Sequence, residues 1–369
     1  MFWCWLLVIA VAFFISMIFC HAIRKFGPRL GLIDNPGHRK IHEKPMPTDG
    51  GLGIWLGVVL PLAIGQLILW LLIWERSDGQ IAFPIPEYLE IHLPGLLQQS
   101  KKLWQLLGLG TILVLLGLLD DICGLGWKIR LSVQFLVAMA TVSLGWRASL
   151  FIDAPFLTYW LSVFWIVGLI NSFNMLDNMD ALSAGVATIC AGFFALIMLT
   201  TPSPETNQPQ LFLGAFMLLL AGALLGFLRH NRPPARLFMG DSGAYFIGYL
   251  IATSTLSATF AGYDLPRQTI FVPVVILAVP LYDTVSVLVI RIKEKRSPFV
   301  GDKSHFSHRL VELGFTKPQA VGVVYLVTTI CCLGAVLLYH VDFSGAVLIF
   351  LQVLLVLLLI AIIETKRKR

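Results

Sequence analysis

The chain has 369 residues, 57% of them hydrophobic and 13% charged, with a mean hydropathy of +0.82. Such values exclude a string of soluble domains and make the lipid bilayer the solvent for most of the chain. The formal charge of +6 is split among short segments between apolar runs, so a membrane surface and not nucleic acid is the expected partner. Six cysteines (Cys4, Cys20, Cys123, Cys190, Cys331, Cys332) show neither C-x-x-C nor Cys/His spacing and lie mostly in apolar runs. They read as packing residues, with neither disulfides nor zinc expected.

A helix needs about 20 apolar residues to cross the hydrocarbon core, because lipid satisfies no backbone polar group. Eleven runs meet this, at approximately 2–20, 52–74, 103–119, 132–149, 155–170, 182–200, 211–228, 243–260, 270–290, 320–340 and 343–363. The first lacks a basic start and a small-residue cleavage site and leads into Arg24 and Lys25, so it reads as a retained helix with its N-terminus outside. The segment 75–103, with Pro84, Pro86 and Pro94 and a short apolar stretch, reads as re-entrant or interfacial. Neither an inverted repeat nor a soluble domain is visible. The expected fold is therefore an all-α polytopic membrane protein of about eleven transmembrane helices, a single integral-membrane domain over 1–369.

With the N-terminus outside, the inside loops are 21–51, 120–131, 171–181, 229–242 and 291–319, plus the tail 364–369. These segments hold 22 Lys and Arg against 5 in the outside loops, which orients the chain with its C-terminus in the cytoplasm. The tail Lys366 to Arg369 anchors the last helix against anionic headgroups.

That orientation gathers nearly all the chemistry on one face. Asp120 and Asp121 follow the apolar stretch Leu113 to Leu119 and precede Lys128 and Arg130. They are either a solvated loop start with local ion pairs, or two carboxylates whose proton affinities are pushed apart, one taking a proton while the other holds a cation. Asn174, Asp177 and Asp180 are spaced i, i+3, i+6, which on a helical turn brings three oxygen-bearing side chains together and suits magnesium. Helix capping by Asp180 accounts for one of these residues but not the set. Gly240 to Gly243 opens the next run, so its N–H groups favour phosphate, and Asp241 is a cap or a metal ligand. Arg229, His230, Arg232 and Arg236 beside it are phosphate clamps or membrane anchors. His305 and His308, with Arg309, lack a third soft ligand, so phosphate contact or proton transfer is expected of them and not transition-metal binding. In the first inside loop Arg39, Lys40 and His42 adjoin the stiff turn Pro45 to Gly51, which is either an anchor with a turn or an anion site.

Taken together, the stretch Arg39 to Gly51, Leu118 to Asp121, Asn171-x-x-Asn-x-x-Asp-x-x-Asp180, Phe238-Met-Gly-Asp-Ser-Gly243 and His305-x-x-His308 resemble, in order and face, the polyprenyl-phosphate N-acetylhexosamine-1-phosphate transferases of glycosyltransferase family 4. The likeness is to the undecaprenyl-phosphate GlcNAc-1-phosphate branch that begins enterobacterial common antigen, lipopolysaccharide O-antigen and teichoic-acid linkage units. It covers essentially the whole chain.

The resemblance implies transfer of a sugar 1-phosphate, GlcNAc-1-phosphate first among them, from a UDP-sugar to polyprenyl phosphate, with UMP released. This would be the first membrane step of an envelope polysaccharide, in the bacterial cytoplasmic membrane. It implies Asp120 as base or nucleophile with Asp121 as its partner, and Asn174 and Asp241 as ligands of Mg2+, or of Mn2+ in its place. Asp177 and Asp180 would line the nucleotide-sugar side, His305 and His308 the diphosphate, and Arg39, Lys40, His42, Asn171, Arg236 and Arg309 would contact substrate or phosphate. A homodimer is compatible with it.

Two departures stand out. The family's Asp-Gly-x-Asp-Gly reads Asp177-Asn178-Met179-Asp180-Ala181 here, and Ser307 stands where some relatives have a further histidine. The alternatives are the phospho-MurNAc-pentapeptide transferase of peptidoglycan synthesis and, from another class, a secondary transporter. Acids gathered at one face and not at mid-membrane argue against the transporter.

Overall fold

The computed structural model describes residues 2–34, 45–77, 93–148, 154–202, 208–258, 260, 266–298 and 304–365. In chain order the helices are α1 Phe2–Phe26, α2 Gly51–Ser77, α3 Leu93–Cys123, α4 Trp127–Ser143, α5 Pro155–Leu176, α6 Leu182–Thr200, α7 Leu211–Asn231, α8 Gly240–Ser257, α9 Val272–Ile276, α10 Ala278–Lys293, α11 Phe306–Glu312, α12 Lys317–Leu337 and α13 Phe343–Thr365. Two short strands, β1 Ile33–Asp34 and β2 Met46–Pro47, pair antiparallel across the first predicted inside loop.

Every predicted run falls on a helix, but the helices differ in reach. Eight are long and apolar enough to cross a membrane, and the bent pair of Arg267–Ile276 and Ala278–Lys293 makes a ninth if counted as one span. The remaining two runs are α4, of 17 residues, and α8, of 18. Ends also moved. α3 runs on to Cys123, and α5, predicted short, continues to Leu176. Of the segment read as re-entrant or interfacial, α2 takes the start and α3 the end, and 78–92 lies outside the described residues.

The short α8 is the centre of the fold. Every residue from Ser242 to Thr255 is buried, and the helix packs against α2, α3 and α5. α1, α7 and α6 pack in succession beside it, and α12 closes on α6 and α9. The outer helices turn apolar side chains outward, among them Trp3, Leu7 and Phe14 on α1 and Leu348, Leu355 and Ile362 on α13. An apolar surface turned outward on the outer helices is what lipid requires. Inside, polar side chains pair across helices: Trp55 Nε1 donates to Thr111 Oγ1 at 2.9 Å, Trp165 Nε1 to Thr255 Oγ1 at 3.0 Å, and Thr141 and Tyr249 share a hydroxyl bond of 2.9 Å.

The 65° bend between α9 and α10 has a chemical cause. The Ile276 carbonyl would accept from the residue four positions on, which is Pro280 and has no N–H. Two buried thiols point at that carbonyl instead, Cys190 Sγ at 3.3 Å and Cys332 Sγ at 3.8 Å. These cysteines pack inside, as the sequence suggested, and they also serve as donors. Replacing both with alanine is expected to cost about 1–3 kcal/mol, the range for a buried acceptor losing its donors. The same pair in a Pro280→Ala background, where a backbone N–H returns, should cost less. Thermal unfolding in detergent checks this, and equal losses in both backgrounds would refute the assignment.

Candidate active site

Asp120 and Asp121 stand in the last turn of α3 and not at a loop start, because the helix continues past them. Asp120 is 8% exposed and both of its oxygens are engaged. Oδ1 accepts from the Leu125 N–H at 2.7 Å, and Oδ2 from Arg130 Nη1 on α4 at 2.7 Å. The local ion pair is therefore present, but around a buried and not a solvated carboxylate. Asp121 is exposed, and its Oδ2 accepts the Asp241 backbone N–H at 2.8 Å.

That last bond joins α3 to the N-terminal turn of α8. Met239 holds the cap position with no side-chain bond, so Asp241, inside the first turn, does not cap the helix. Its Oδ1 accepts from Asn174 Nδ2 at 2.7 Å, and its Oδ2 from the Tyr245 hydroxyl at 3.0 Å and Arg130 Nη1 at 3.4 Å. Three distant segments, 120–130, 174 and 241–245, thus meet around one carboxylate. Gly117, one turn before the aspartate pair, allows it: a Cβ there would lie 2.2 Å from the Ser242 N.

From the other side, the turn Pro45 to Gly51 is sealed onto the same helix start. Gly50 N donates to Phe238 O and Gly51 N to Met239 O, each at 2.9 Å. Asp49 in that turn is fully buried, with φ of 65°; it accepts from Ser242 Oγ at 3.1 Å, while its Oδ2 has no donor among the described residues. Burial holds its carboxyl above the usual range.

The second acidic segment is a turn and not a helical face. α5 ends at Leu176, so Asp177 and Asp180 do not continue the i, i+3, i+6 stripe from Asn174. Asp180 does not cap α6 either; its Oδ2 accepts the Ala235 N–H at 2.9 Å, and Ala181 takes the cap position with φ of 64°. Burial, with the charges of Asp241 and Asp180 nearby, pushes Asp177 up to about 7. The two departures in sequence meet here: Ser307 Oγ donates to Asn178 Oδ1 at 2.6 Å, which joins this turn to α11.

In that segment His305 and His308 are both buried, their ring centres 6.4 Å apart. His305 Nδ1 lies 2.8 Å from Asp283 Oδ2 on α10. Arg309, expected on a phosphate, is instead turned inward: it donates to Ser304 O at 2.7 Å and Ser286 Oγ at 2.9 Å and pairs with Glu364 of α13 at 2.9 Å. Asn171 is likewise engaged within the protein, its Nδ2 on Gln134 Oε1 at 2.7 Å and Val167 O at 2.8 Å, linking α5 to α4. Arg236 is exposed beside Ala235. Arg39, Lys40 and His42 lie outside the described residues.

Sequence reading did not single out Asp49, Tyr245, Asp283 or Glu364. Asp283 gave a signal, a lone acid inside an apolar run. Tyr245 gave one too, four residues after Asp241 and hence over it on the helix. Asp49 and Glu364 depend on tertiary contacts only.

Among the described residues no three His, Cys, Asp or Glu side chains gather as a metal cage. The Asp241 carboxylate and Asn174 amide stand side by side, and Asn174 keeps its carbonyl oxygen after giving its N–H to Asp241. One carboxylate and one amide oxygen fit magnesium, which retains waters and takes substrate phosphates for its remaining positions.

Comparison with known proteins decides the family. Residues 103–259 match the model of glycosyl transferase family 4. A probable undecaprenyl-phosphate N-acetylglucosaminyl 1-phosphate transferase of Bacillus subtilis is 32% identical, across 89% of this chain and 85% of the relative. The chain belongs to glycosyl transferase family 4, in the polyprenyl-phosphate N-acetylglucosamine-1-phosphate transferase branch. An undecaprenyl-phosphate alpha-N-acetylglucosaminyl 1-phosphate transferase of Thermotoga maritima is 29% identical over 80% of this chain and 78% of its own length, and the Escherichia coli protein of that description is 26% identical over 85% and 78%. In this family member the left-handed Ala181 is held by Asn231, whose Oδ1 takes the Ala181 N–H at 2.8 Å, and by the Tyr325 hydroxyl on the Ala181 carbonyl. Ala181→Gly should relieve about 1 kcal/mol of left-handed strain and raise the unfolding temperature; a fall would show that the methyl group is needed for packing.

Proposed function

We propose that this protein transfers N-acetylglucosamine 1-phosphate from a UDP-sugar to a polyprenyl phosphate, giving a diphosphate-linked lipid and UMP. The observation that carries the reading is Asp241, fixed in the first turn of α8 between Asn174 and the Asp120–Asp121 pair. Family membership supports the same reaction class. The positive-inside bias supports a cytosolic site at headgroup depth in the bacterial cytoplasmic membrane, where a soluble anionic donor meets a lipid-borne acceptor. On this reading the eleven helical runs are the crossings, and the five inside loops supply one site within a single domain.

Asp241 and the Asn174 carbonyl would hold Mg2+, or Mn2+, which supplies positive charge against the donor diphosphate when bound. The protein's own groups divide the remaining work. Asp120 is occupied by Leu125 and Arg130, so it fixes Arg130 beside Asp241. Asp121 is the exposed member and the better placed to take the proton of the acceptor phosphate. The acceptor oxygen then forms its bond to the β-phosphorus, the bond to the α-phosphate oxygen breaks, and UMP leaves with that electron pair. Asp177 and Asp180 face the nucleotide-sugar side, where bonding between Ser307 and Asn178 and between Asp180 and Ala235 holds the turn. His305, His308, Arg236 and the loop with Arg39, Lys40 and His42 contribute to anion binding. Arg309 and Asn171 act as clamps within the protein, a role their bonds support better than direct phosphate contact.

Membranes containing the protein should release UMP from UDP-N-acetylglucosamine only when polyprenyl phosphate and magnesium are both present. No release with any UDP-N-acetylhexosamine would sink the reading, whereas preference for UDP-MurNAc-pentapeptide in competition would reassign the donor. Asp241→Asn should lose most turnover while folded yield holds, as a ligand must and a bland helix start need not.

Cation affinity should also follow pH. Asp177, raised to about 7, is protonated and neutral below that value in the cation-free protein, and only above it carries the negative charge that attracts a cation. Mn2+ binding, followed by its electron paramagnetic resonance signal, should therefore weaken as pH falls from 8 to 6, by up to about tenfold per unit for one displaced proton. Affinity that does not change over this interval would exclude Asp177 from the cation's surroundings.

A further inference from the structure

Asp283 lies on α10 six residues past the 65° bend and is 1% exposed. A carboxylate so deep in an apolar helix is costly unless its oxygens are bonded. Both are: Oδ1 accepts the Phe306 N–H at 2.7 Å, and Oδ2 faces His305 Nδ1 at 2.8 Å. An ionised carboxylate can only accept, so Nδ1 is the ring nitrogen that carries a proton. Among the described residues the His305 ring makes no other hydrogen bond, which leaves Nε2 for an external partner. The first bond sets the backbone at the start of α11; the second sets the ring.

The rest of α11 is fixed by other means. Ser307 joins it to Asn178, next to Asp177, and Arg309 joins it to Ser286, Ser304 and Glu364. Phe306 packs edge-on to Tyr282, ring centres 5.9 Å apart. None of these contacts turns an imidazole. Asp283 is the anchor that reaches the His305 ring, and a buried ion pair gives little net stability to explain its presence.

We propose that Asp283 is a positioning residue for the transfer reaction: it fixes the tautomer and direction of the His305 imidazole so that Nε2 is presented to the substrate diphosphate. The proposal rests on the transferase reading above. It adds a residue with no substrate contact of its own, acting through His305 in the way an outer carboxylate orients a metal-bound or catalytic imidazole.

Asp283→Asn separates this role from a structural one. The amide oxygen still accepts the Phe306 N–H, while the amide nitrogen meets Nδ1 as a donor and moves the ring proton to Nε2. Turnover should fall about 100-fold, the scale of a misplaced catalytic contact, with the unfolding temperature nearly unchanged. In a His305→Gln background the same substitution should cost nothing further. Asp283→Glu, which keeps a carboxylate, should retain more activity than Asp283→Asn, and this comparison serves if the amide variant folds poorly.

UDP gives a second readout independent of turnover. Its thermal stabilisation of the protein should drop equally in Asp283→Asn, in His305→Gln and in the double variant. Additive losses in either readout, or a glutamate variant weaker than the asparagine one, would overturn the proposal. A wild-type protein that UDP stabilises but that turns over no donor, with the non-additive pattern intact, would count against the transferase reading and leave the positioning role standing.

Discussion

The N-terminal turn of α8 meets α3 backbone to backbone at Gly117, and the other features of the site depend on that contact. A side chain there would push the helices apart, since a Cβ would lie 2.2 Å from the Ser242 nitrogen. With it absent, the Asp241 N–H reaches Asp121, its carboxylate reaches Arg130 and Asn174, and Ser242 reaches Asp49. Helix packing in lipid relies on such small-residue contacts because no hydrophobic gain drives helices together. Here the same contact that packs the bundle assembles the chemistry.

Burying so many acids is expensive, and the structure offsets the cost group by group. Asp120 has Arg130 and a backbone N–H, Asp180 a backbone N–H, and Asp283 a backbone N–H and an imidazole. Asp177 is the contrast: burial and the neighbouring Asp241 and Asp180 charges hold it near neutrality. Asp49 retains an oxygen with no donor among the described residues. Unmet demand for positive charge is therefore concentrated near α8, which is where a magnesium diphosphate would be most strongly favoured.

Much of this was legible in the sequence, because lipid imposes a strict length and apolarity on each helix. All eleven runs fell on helices, and the described residues of all five motifs fell in segments that the structure joins. What was misjudged has physical reasons. Hydropathy drops at Asp120, yet α3 continues for a further turn because Asp120 and Asp121 find partners on α4 and α8. The i, i+3, i+6 spacing of Asn174, Asp177 and Asp180 imitates a helical stripe, but α5 ends at Leu176 and the left-handed Ala181 redirects the chain. Arg309 and Asn171 were expected to contact substrate or phosphate because their partners in the fold, Glu364 and Gln134, are far away in sequence or silent in motif. Asp283 and Tyr245 sat inside apolar runs, where only the packed structure shows what they touch.

Those observations converge on a cation site built from α5 and α8. Diffraction from crystals grown with Mn2+ and a UDP-sugar, recorded at the manganese absorption edge, addresses it most directly. The account predicts an anomalous peak at coordination distance, about 2.0–2.3 Å, from the Asp241 carboxylate and the Asn174 side-chain oxygen, with diphosphate oxygens filling further positions. A peak on other residues with Asp241 still bonded to Asn174, Tyr245 and Arg130 as it is here would contradict it.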